Sequence, residues 1–373
     1  MSQTIMQADA KVKLARECLP VTDEYAYLDT GSLGPISAIY SEALARCTTE
    51  DLAMGRALAR RFERIDEAKG RIRSEVASLV GADPAEIELT RGTRDGIGRL
   101  LGRMRWSPGD EVVTTQLEFP ACADTIHALT RTAAVVVRTA EVPEDGGEDV
   151  DWLERCLTPR TRLIAFSGVA YATGQRLPLD RIAELAAARD VRTLVDGAQL
   201  AGAADLGLGR THIDFLAMPL QKWLLGPEGL GALYLRAGAL GAPDSEGTAQ
   251  GWPVLQACAE HLAWMRETLG WNWIHERTRR LGTHARSALG DIDGLSLVTP
   301  DAHAGLVAIR CKKNGSQQLA DHLKFWNLIV RHRPELDLLR ISTAFFNTED
   351  EIDRFADAIR SRDGQSNPKD AFS

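Results

Sequence analysis

The sequence predicts an α/β protein: a large domain with a mostly parallel sheet covered by helices on both faces, then a smaller α+β domain. Three observations carry this expectation. Short apolar runs recur between about residues 60 and 240, helical patterns separate them, and the composition shifts to Gly, Pro and Ser at "GALGAPDSEGTAQGWP", residues 238–253. Strands buried on both faces read as continuous apolar runs, and alternation with helices is the mark of parallel pairing. The expected boundaries are residues 21–250 for the large domain and 251–363 for the small one. Residues 1–20 are expected to pack on the small domain, and 364–373 to form a disordered tail.

The elements follow in order. "FERIDEAKGRIRSEVASLVG" places Phe62, Ile65, Ile72, Val76 and Leu79 at helical spacing, with Gly81 available to end the helix. "DEVVTT", "AAVVVRT", "TRLIAFSG", "VRTLVDG", "IDFLAMP" and "LGALYLR" read as strands, and "PLDRIAELAAARD" as a helix opened by Pro178 and Asp180. Past the linker come a long helical region with Trp264, Trp271 and Trp273, a strand "GLVAIRC" and a helix "SQQLADHLKFW". Strands around "NLIVR" and "LLRIS" and a helix "TEDEIDRFADAIRSR" complete the unit.

Composition narrows the function. The 373 residues carry 44% hydrophobic and 26% charged side chains, ordinary values for a globular chain. A formal net charge of −8 argues against a nucleic-acid partner, whose phosphates call for a basic face. That applies even to the Arg- and Trp-rich stretch "WMRETLGWNWIHERTRR", which reads as a solvated helix. No apolar run is long enough for a membrane span. Six scattered cysteines without CxxC spacing read as reduced thiols of a cytoplasmic protein. The sequence has no GxxxxGK[ST], HExxH or GxSxG, the GxG of "GLGALY" precedes a strand, and the eight histidines lack metal-ligand spacing. No metal is expected.

In open α/β sheets ligands bind beyond the carboxyl ends of the strands, so the residues there are the candidates. Asp196 ends the run "RTLVD", with Gln199 three residues later, and Lys222 follows "IDFLAMP". Taken alone, Asp196 reads equally well as a turn aspartate, and Lys222 as a loop lysine reaching for solvent. Together they suit one chemistry. A lysine desolvated among apolar groups has a depressed pKa and forms Schiff bases with aldehydes. Pyridoxal phosphate uses such a lysine, an aspartate for its ring nitrogen and a phosphate cradle. The cradle candidate is "TRGTRDGIG", where a strand turns through Gly92 into a helix and presents the amides of Thr93 and Arg94. Phe119, in "QLEFPAC", stands where a ring could stack on a cofactor, or simply belong to the core.

On these motifs the chain resembles the fold-type I, pyridoxal-phosphate-dependent enzymes of the class V aminotransferase group, close to the isopenicillin N epimerase and cysteine desulfurase branch. The resemblance runs from "YLDTGSLGPIS" to "LLRISTAFFNTEDEIDRFADAI" and rests jointly on "VDGAQ", "QKWLLGPEGLGALYLR" and "LRIS…FNTEDEID". It implies that Lys222 binds the cofactor and shuttles the Cα proton, that Asp196 pairs with the ring nitrogen, and that Gln199 contacts the phenolic oxygen. It implies a phosphate site of Thr93 and Arg94 assisted by Gln221, Phe119 over the ring, and Arg340 on the substrate α-carboxylate. "EGTAQ" matches a segment that reaches the neighbouring subunit's site, implying a homodimer in which Gly247 and Thr248 touch the partner's phosphate.

Departures from the family pattern bear on the reaction. Pro219 stands where serine is frequent, and "SGVAY" replaces more polar versions, leaving Gly168 and Ala170 near the ring. The loop "NLIVRHRPELDLLRIS" has no cysteine, and Cys311 lies too early, so a persulfide-forming desulfurase is not expected. Arg331 and Arg333 occupy that loop, either facing an anionic substrate or solvated. The expected activity is β-elimination of a sulfur-substituted amino acid, with transamination and then epimerisation as alternatives. A non-catalytic cofactor-binding homologue is disfavoured by the joint presence of Lys222, Asp196 and Arg340.

Overall fold

The computed structural model of the protein describes residues 2–240, 250–311 and 315–363. In chain order it carries α1 (Ser2–Glu17), β1 (Ala26–Tyr27), α2 (Ala38–Met54), α3 (Ala59–Val80), β2 (Ile87–Thr90), α4 (Thr93–Arg103), β3 (Glu111–Thr115), α5 (Pro120–His127), α6 (Leu129–Thr132), β4 (Val136–Ala140), α7 (Asp151–Glu154), β5 (Thr161–Ser167), α8 (Leu179–Ala188), β6 (Arg192–Asp196), β7 (Phe215–Pro219) and β8 (Gly231–Leu235). Then follow α9 (Trp252–Trp264), α10 (Trp271–Gly290), β9 (Leu295–Leu297), β10 (Leu306–Cys311), α11 (Gly315–Lys324), β11 (Leu328–Ile329), β12 (Arg331–Arg333), β13 (Leu338–Ser342) and α12 (Glu349–Asp363). The predicted tail 364–373, and Gly247 and Thr248, lie outside the described residues.

Seven strands form the main sheet in the order β2-β8-β7-β6-β5-β3-β4. From β4 to β7 all pairs are parallel, while β8 runs antiparallel to both β7 and β2. Side chains alternate between two apolar layers, as the period of two requires. Val113, Ile164, Val195 and Leu216 face one layer, and Val112, Leu163, Leu194 and Phe215 the other. All of these are buried, each contributing about 1.5–3 kcal/mol by leaving water. Consecutive strands leave β3 on opposite sides, β4 on one and β5 beyond it on the other. That reversal opens a crevice at the carboxyl ends of β3 and β5.

The helix predicted from Phe62 to Leu79 is α3, ended by Gly81 at φ 73°. Ile72, Val76 and Leu79 are buried as the spacing predicts, but Phe62 is exposed, because the first turns of α3 extend past the core they would cover. The stretch expected to be a solvated helix is α9, a five-residue π turn (Met265–Leu269) and α10. Trp271 is buried there, and Trp264 and Trp273 pack on the core.

The smaller sheet, β12-β13-β10-β9, is antiparallel, and its core includes Val307, Ile309, Leu339, Ile341 and Phe355. Ala26 and Leu28 join that core, with β1 paired to β11. Leu255, Cys258 and Leu262 of α9 belong instead to the core under the main sheet. Arg16 ties α1 to α12, donating to Glu351 at 2.7 Å and to the carbonyl of Phe346 at 3.2 Å. No described helix is long and apolar enough to cross a membrane, and all six cysteines are free thiols.

Candidate active site

A cavity of about 950 Å³ opens at the carboxyl ends of β3, β5, β6 and β7. Lys222 reaches it from the turn after β7, and hydrogen bonds from three other segments hold that turn. Gly34 N–H donates to the carbonyl of Gln221 at 2.8 Å, and Trp223 Nε1 donates to Gln199 Oε1 at 3.0 Å. His261 Nε2 lies 3.0 Å from the carbonyl of Leu224, so that nitrogen carries the hydrogen and Nδ1 accepts from Ser37 Oγ at 2.8 Å. Burial pushes His261 down to about 4, keeping it neutral. A Cβ at position 34 would lie 2.2 Å from the carbonyl oxygen of Lys222, so glycine alone admits this approach. Among the described residues the Lys222 amine has no hydrogen-bond or ion-pair partner. Desolvation lowers its pKa to about 8, opposed by the nearby Asp196 and reinforced by Arg340.

Asp196 ends β6 and is buried. Its carboxylate accepts the amide of Ala198 at 2.8 Å, and the Cys122 thiol lies beside it. Burial raises its pKa, while Ala198, Lys222 and Cys122 lower it. Nearby, Glu118 is buried and pushed up to about 7 by desolvation. It accepts from Thr115 Oγ1 at 2.6 Å and from the amide and hydroxyl of Ser167 at 2.9 and 2.7 Å. Burial raises the Cys122 thiol strongly, and the neighbouring Asp196 raises it further. Sequence reasoning missed Glu118 and Cys122; their place just before and inside α5, after a strand that ends in the crevice, was the available signal.

Thr93 begins α4, whose first amides have no partner within the helix. Its Oγ1 is buried without a hydrogen bond, as is Gln221 Oε1. Gly92, at φ 143°, has open space where a Cβ would stand, and Arg94 lines the same end of the cavity. Pro219 lines it too and offers no donor. Phe119 is half-exposed to the cavity and meets Tyr171 edge-on at 5.3 Å between ring centroids. Gln199 also lines the cavity, but Nε2 donates to the carbonyl of Gly31 at 2.7 Å and Oε1 is taken by Trp223. One amide hydrogen is left.

Arg340 sits one layer behind the wall. Fully buried on β13, it donates to the carbonyl of Tyr171 and to Ser32 Oγ at 2.9 Å, with Asp29 at 3.6 Å. Burial lowers its pKa to about 10. Ser32, Arg331 and Arg333 reach the cavity surface on this side. The structure thus brings Thr93, Arg94, Phe119, Asp196, Gln199, Gln221 and Lys222 around one cavity and leaves Arg340 behind its wall. Among the described residues no cluster of His, Cys, Asp or Glu could hold a metal ion.

Fold and site together define a pyridoxal-phosphate enzyme of fold type I. A family profile described as aminotransferase class-V matches residues 40–246, and the chain belongs to that family. Isopenicillin N epimerase of Streptomyces clavuligerus is 32% identical over 337 residues, covering 79% of this chain and 84% of that protein. A cysteine desulfurase of Enterobacter sp. (strain 638) is 26% identical, covering 78% and 81%. Among solved structures, the cystine C–S lyase C-DES in complex with cysteine persulfide superposes with a TM-score of 0.84. It is 23% identical and covers 91% of this chain and 99% of that one, a likeness of fold. The residues present fit pyridoxal phosphate. An unpartnered amine faces a buried carboxylate, and two buried polar atoms, Thr93 Oγ1 and Gln221 Oε1, await a partner beside a helix N-terminus.

Proposed function

We propose that the enzyme removes the Cα proton of a bound amino acid with Lys222 and expels a sulfur substituent from Cβ. When bound, pyridoxal phosphate supplies a carbonyl for amino groups and an electron sink for charge developing at Cα. Lys222 would hold the cofactor, and its amine is the group placed to take the proton; its depressed pKa and unpartnered amine are the observation that carries the reading. Asp196 would pair with the ring nitrogen, and Gln199 would give its spare amide hydrogen to the phenolic oxygen. Phe119 would cover the ring, while Thr93, Arg94 and Gln221 would hold the phosphate. Arg340, acting with Ser32 at the wall, holds the α-carboxylate. In a homodimer, Gly247 and Thr248 complete the partner's phosphate site.

Elimination is favoured over persulfide formation by the state of Cys122. It is the one cysteine lining the described cavity, and its thiol is held protonated by burial and by the neighbouring Asp196, which makes it a poor nucleophile. In elimination the Cα proton goes to Lys222 and the Cβ–S electron pair leaves with sulfur. A cysteine thioether plus one water becomes thiol, pyruvate and ammonia. The similarity to isopenicillin N epimerase favours epimerisation as the second reading. A panel of L-amino acids and cysteine thioethers, read by mass spectrometry and chiral chromatography, tests both. We expect thiol and pyruvate in equal amounts. Alanine formed from cysteine would instead identify a desulfurase, a keto acid with pyridoxamine phosphate a transaminase, and a D-enantiomer an epimerase.

A further inference from the structure

Three guanidinium groups gather on one hairpin beside the cavity. Arg331 and Arg333 stand two residues apart on β12 and so share a face. Arg331 is the direct cross-strand partner of Arg340 on antiparallel β13. Like charges placed directly opposite one another in a sheet repel, and nothing in the strand pairing calls for them. Their shared counter-ion is Asp29, whose carboxylate also accepts from Ser32 Oγ at 2.6 Å and lies nearest to Arg340. Glu335 lies in the turn of the hairpin and is exposed, and Lys222, which feels Asp196 most strongly among the carboxylates, adds positive charge on the same side.

Arg340 gives its two terminal nitrogens to the carbonyl of Tyr171, Ser32 and Asp29 and keeps only a buried Nε unpartnered, whereas the other two arginines have no such partners. Among the described residues neither Arg331 nor Arg333 has a hydrogen bond or close ion pair, and both line the cavity. Arg333 Nε is buried without a partner. The Arg333 guanidinium is held 5.2 Å from the centre of the Tyr171 ring, and that ring in turn meets Phe119. Arg333 is thus packed against the wall and oriented for a ligand, while Arg331 is exposed where it lines the cavity. One substrate carboxylate on Arg340 leaves the hairpin with positive charge in excess.

We propose that Arg331 and Arg333 form a second anion subsite, and that the enzyme acts on amino acids whose side chain ends in a carboxylate or a similar anionic group. This rests on the reading that the cavity binds an amino acid, and it specifies which kind. Bidentate arginine–carboxylate pairing gives such a subsite both strength and direction.

Two isosteric pairs test it on the holoenzyme: S-carboxymethyl-L-cysteine against S-carbamoylmethyl-L-cysteine by kcat/KM, and L-glutamate against L-glutamine by absorbance titration. The members of each pair differ in charge and hardly in shape. We expect the anionic member to be preferred about 10- to 100-fold, the range for a hydrogen bond to a charged group. Arg333→Gln and Arg331→Gln should reduce that preference, and the double variant should abolish it. Binding of the amides and the cofactor absorbance should be unchanged, which controls for folding. Equal binding within both pairs in the unmodified enzyme would overturn the proposal. So would arginine variants that weaken the anionic and neutral members alike, since that assigns these residues to the α-carboxylate or to structure. The glutamate pair has no leaving group at Cβ. A preference there with inert cysteine thioethers would uphold the subsite while refuting the lyase reading.

Discussion

Lys222→Ala lowers kcat by at least about 10²–10⁴-fold, the usual contribution of a positioned acid–base group, while the fold remains. Turnover falls because the substitution removes the one cavity-facing amine whose pKa, about 8, lets it exchange protons near neutral pH. The fold persists because the turn is held by backbone groups of Gln221, Lys222 and Leu224 and by Trp223, none of which needs the lysine side chain. Removing a desolvated ammonium from beside Arg340 also relieves repulsion. We expect an unchanged circular dichroism spectrum and a thermal midpoint at or above that of the unmodified enzyme. Steady-state activity within tenfold of normal would mean that another group is the base.

Asp196→Asn lowers kcat by about 10²–10³-fold, the scale on which one preorganised electrostatic partner contributes to a transition state. The amide keeps the shape and still accepts the Ala198 amide hydrogen, but it carries no charge to oppose a protonated ring nitrogen. It also removes the attraction that props up the Lys222 pKa, so the amine titrates below 8 and the acidic limb of the pH–rate profile moves down. The measurement is kcat against pH for both proteins. An unaltered profile would remove Asp196 from the site.

Of the six strand runs between residues 111 and 235, five were legible because strands buried on both faces cannot avoid writing continuous apolar segments, while β4, largely exposed at the sheet edge, showed through its β-branched "VVV". Strand direction was not: "LGALYLR" has the same look as its neighbours, yet β8 runs antiparallel to both. Two-residue elements such as β1 and β11 are too short to carry a period, and their pairing over some 300 residues leaves no local trace. The exposure of Phe62 and the burial of Trp271 depend on where helices end relative to a core that spacing alone does not locate.

The site divides along the same line. Asp196, Lys222, Thr93 and Phe119 were visible because each follows a strand end or starts a helix, where an α/β sheet gathers its ligands. Glu118 and Cys122 depend on contacts with Ser167 and Asp196, residues from other strands. The enclosure of Arg340 by Asp29, Ser32 and Tyr171 joins segments up to 311 residues apart and was not written in "LLRIS".

The proposed chemistry depends on Lys222 being the lysine that holds pyridoxal phosphate. Borohydride reduction of the yellow holoenzyme, followed by proteolysis and mass spectrometry, tests it most directly. We expect a reduced phosphopyridoxyl group on the peptide containing "QKWLLGPEG", and on no other lysine. Stoichiometric label on a different lysine, or full release of the cofactor after reduction, would contradict it.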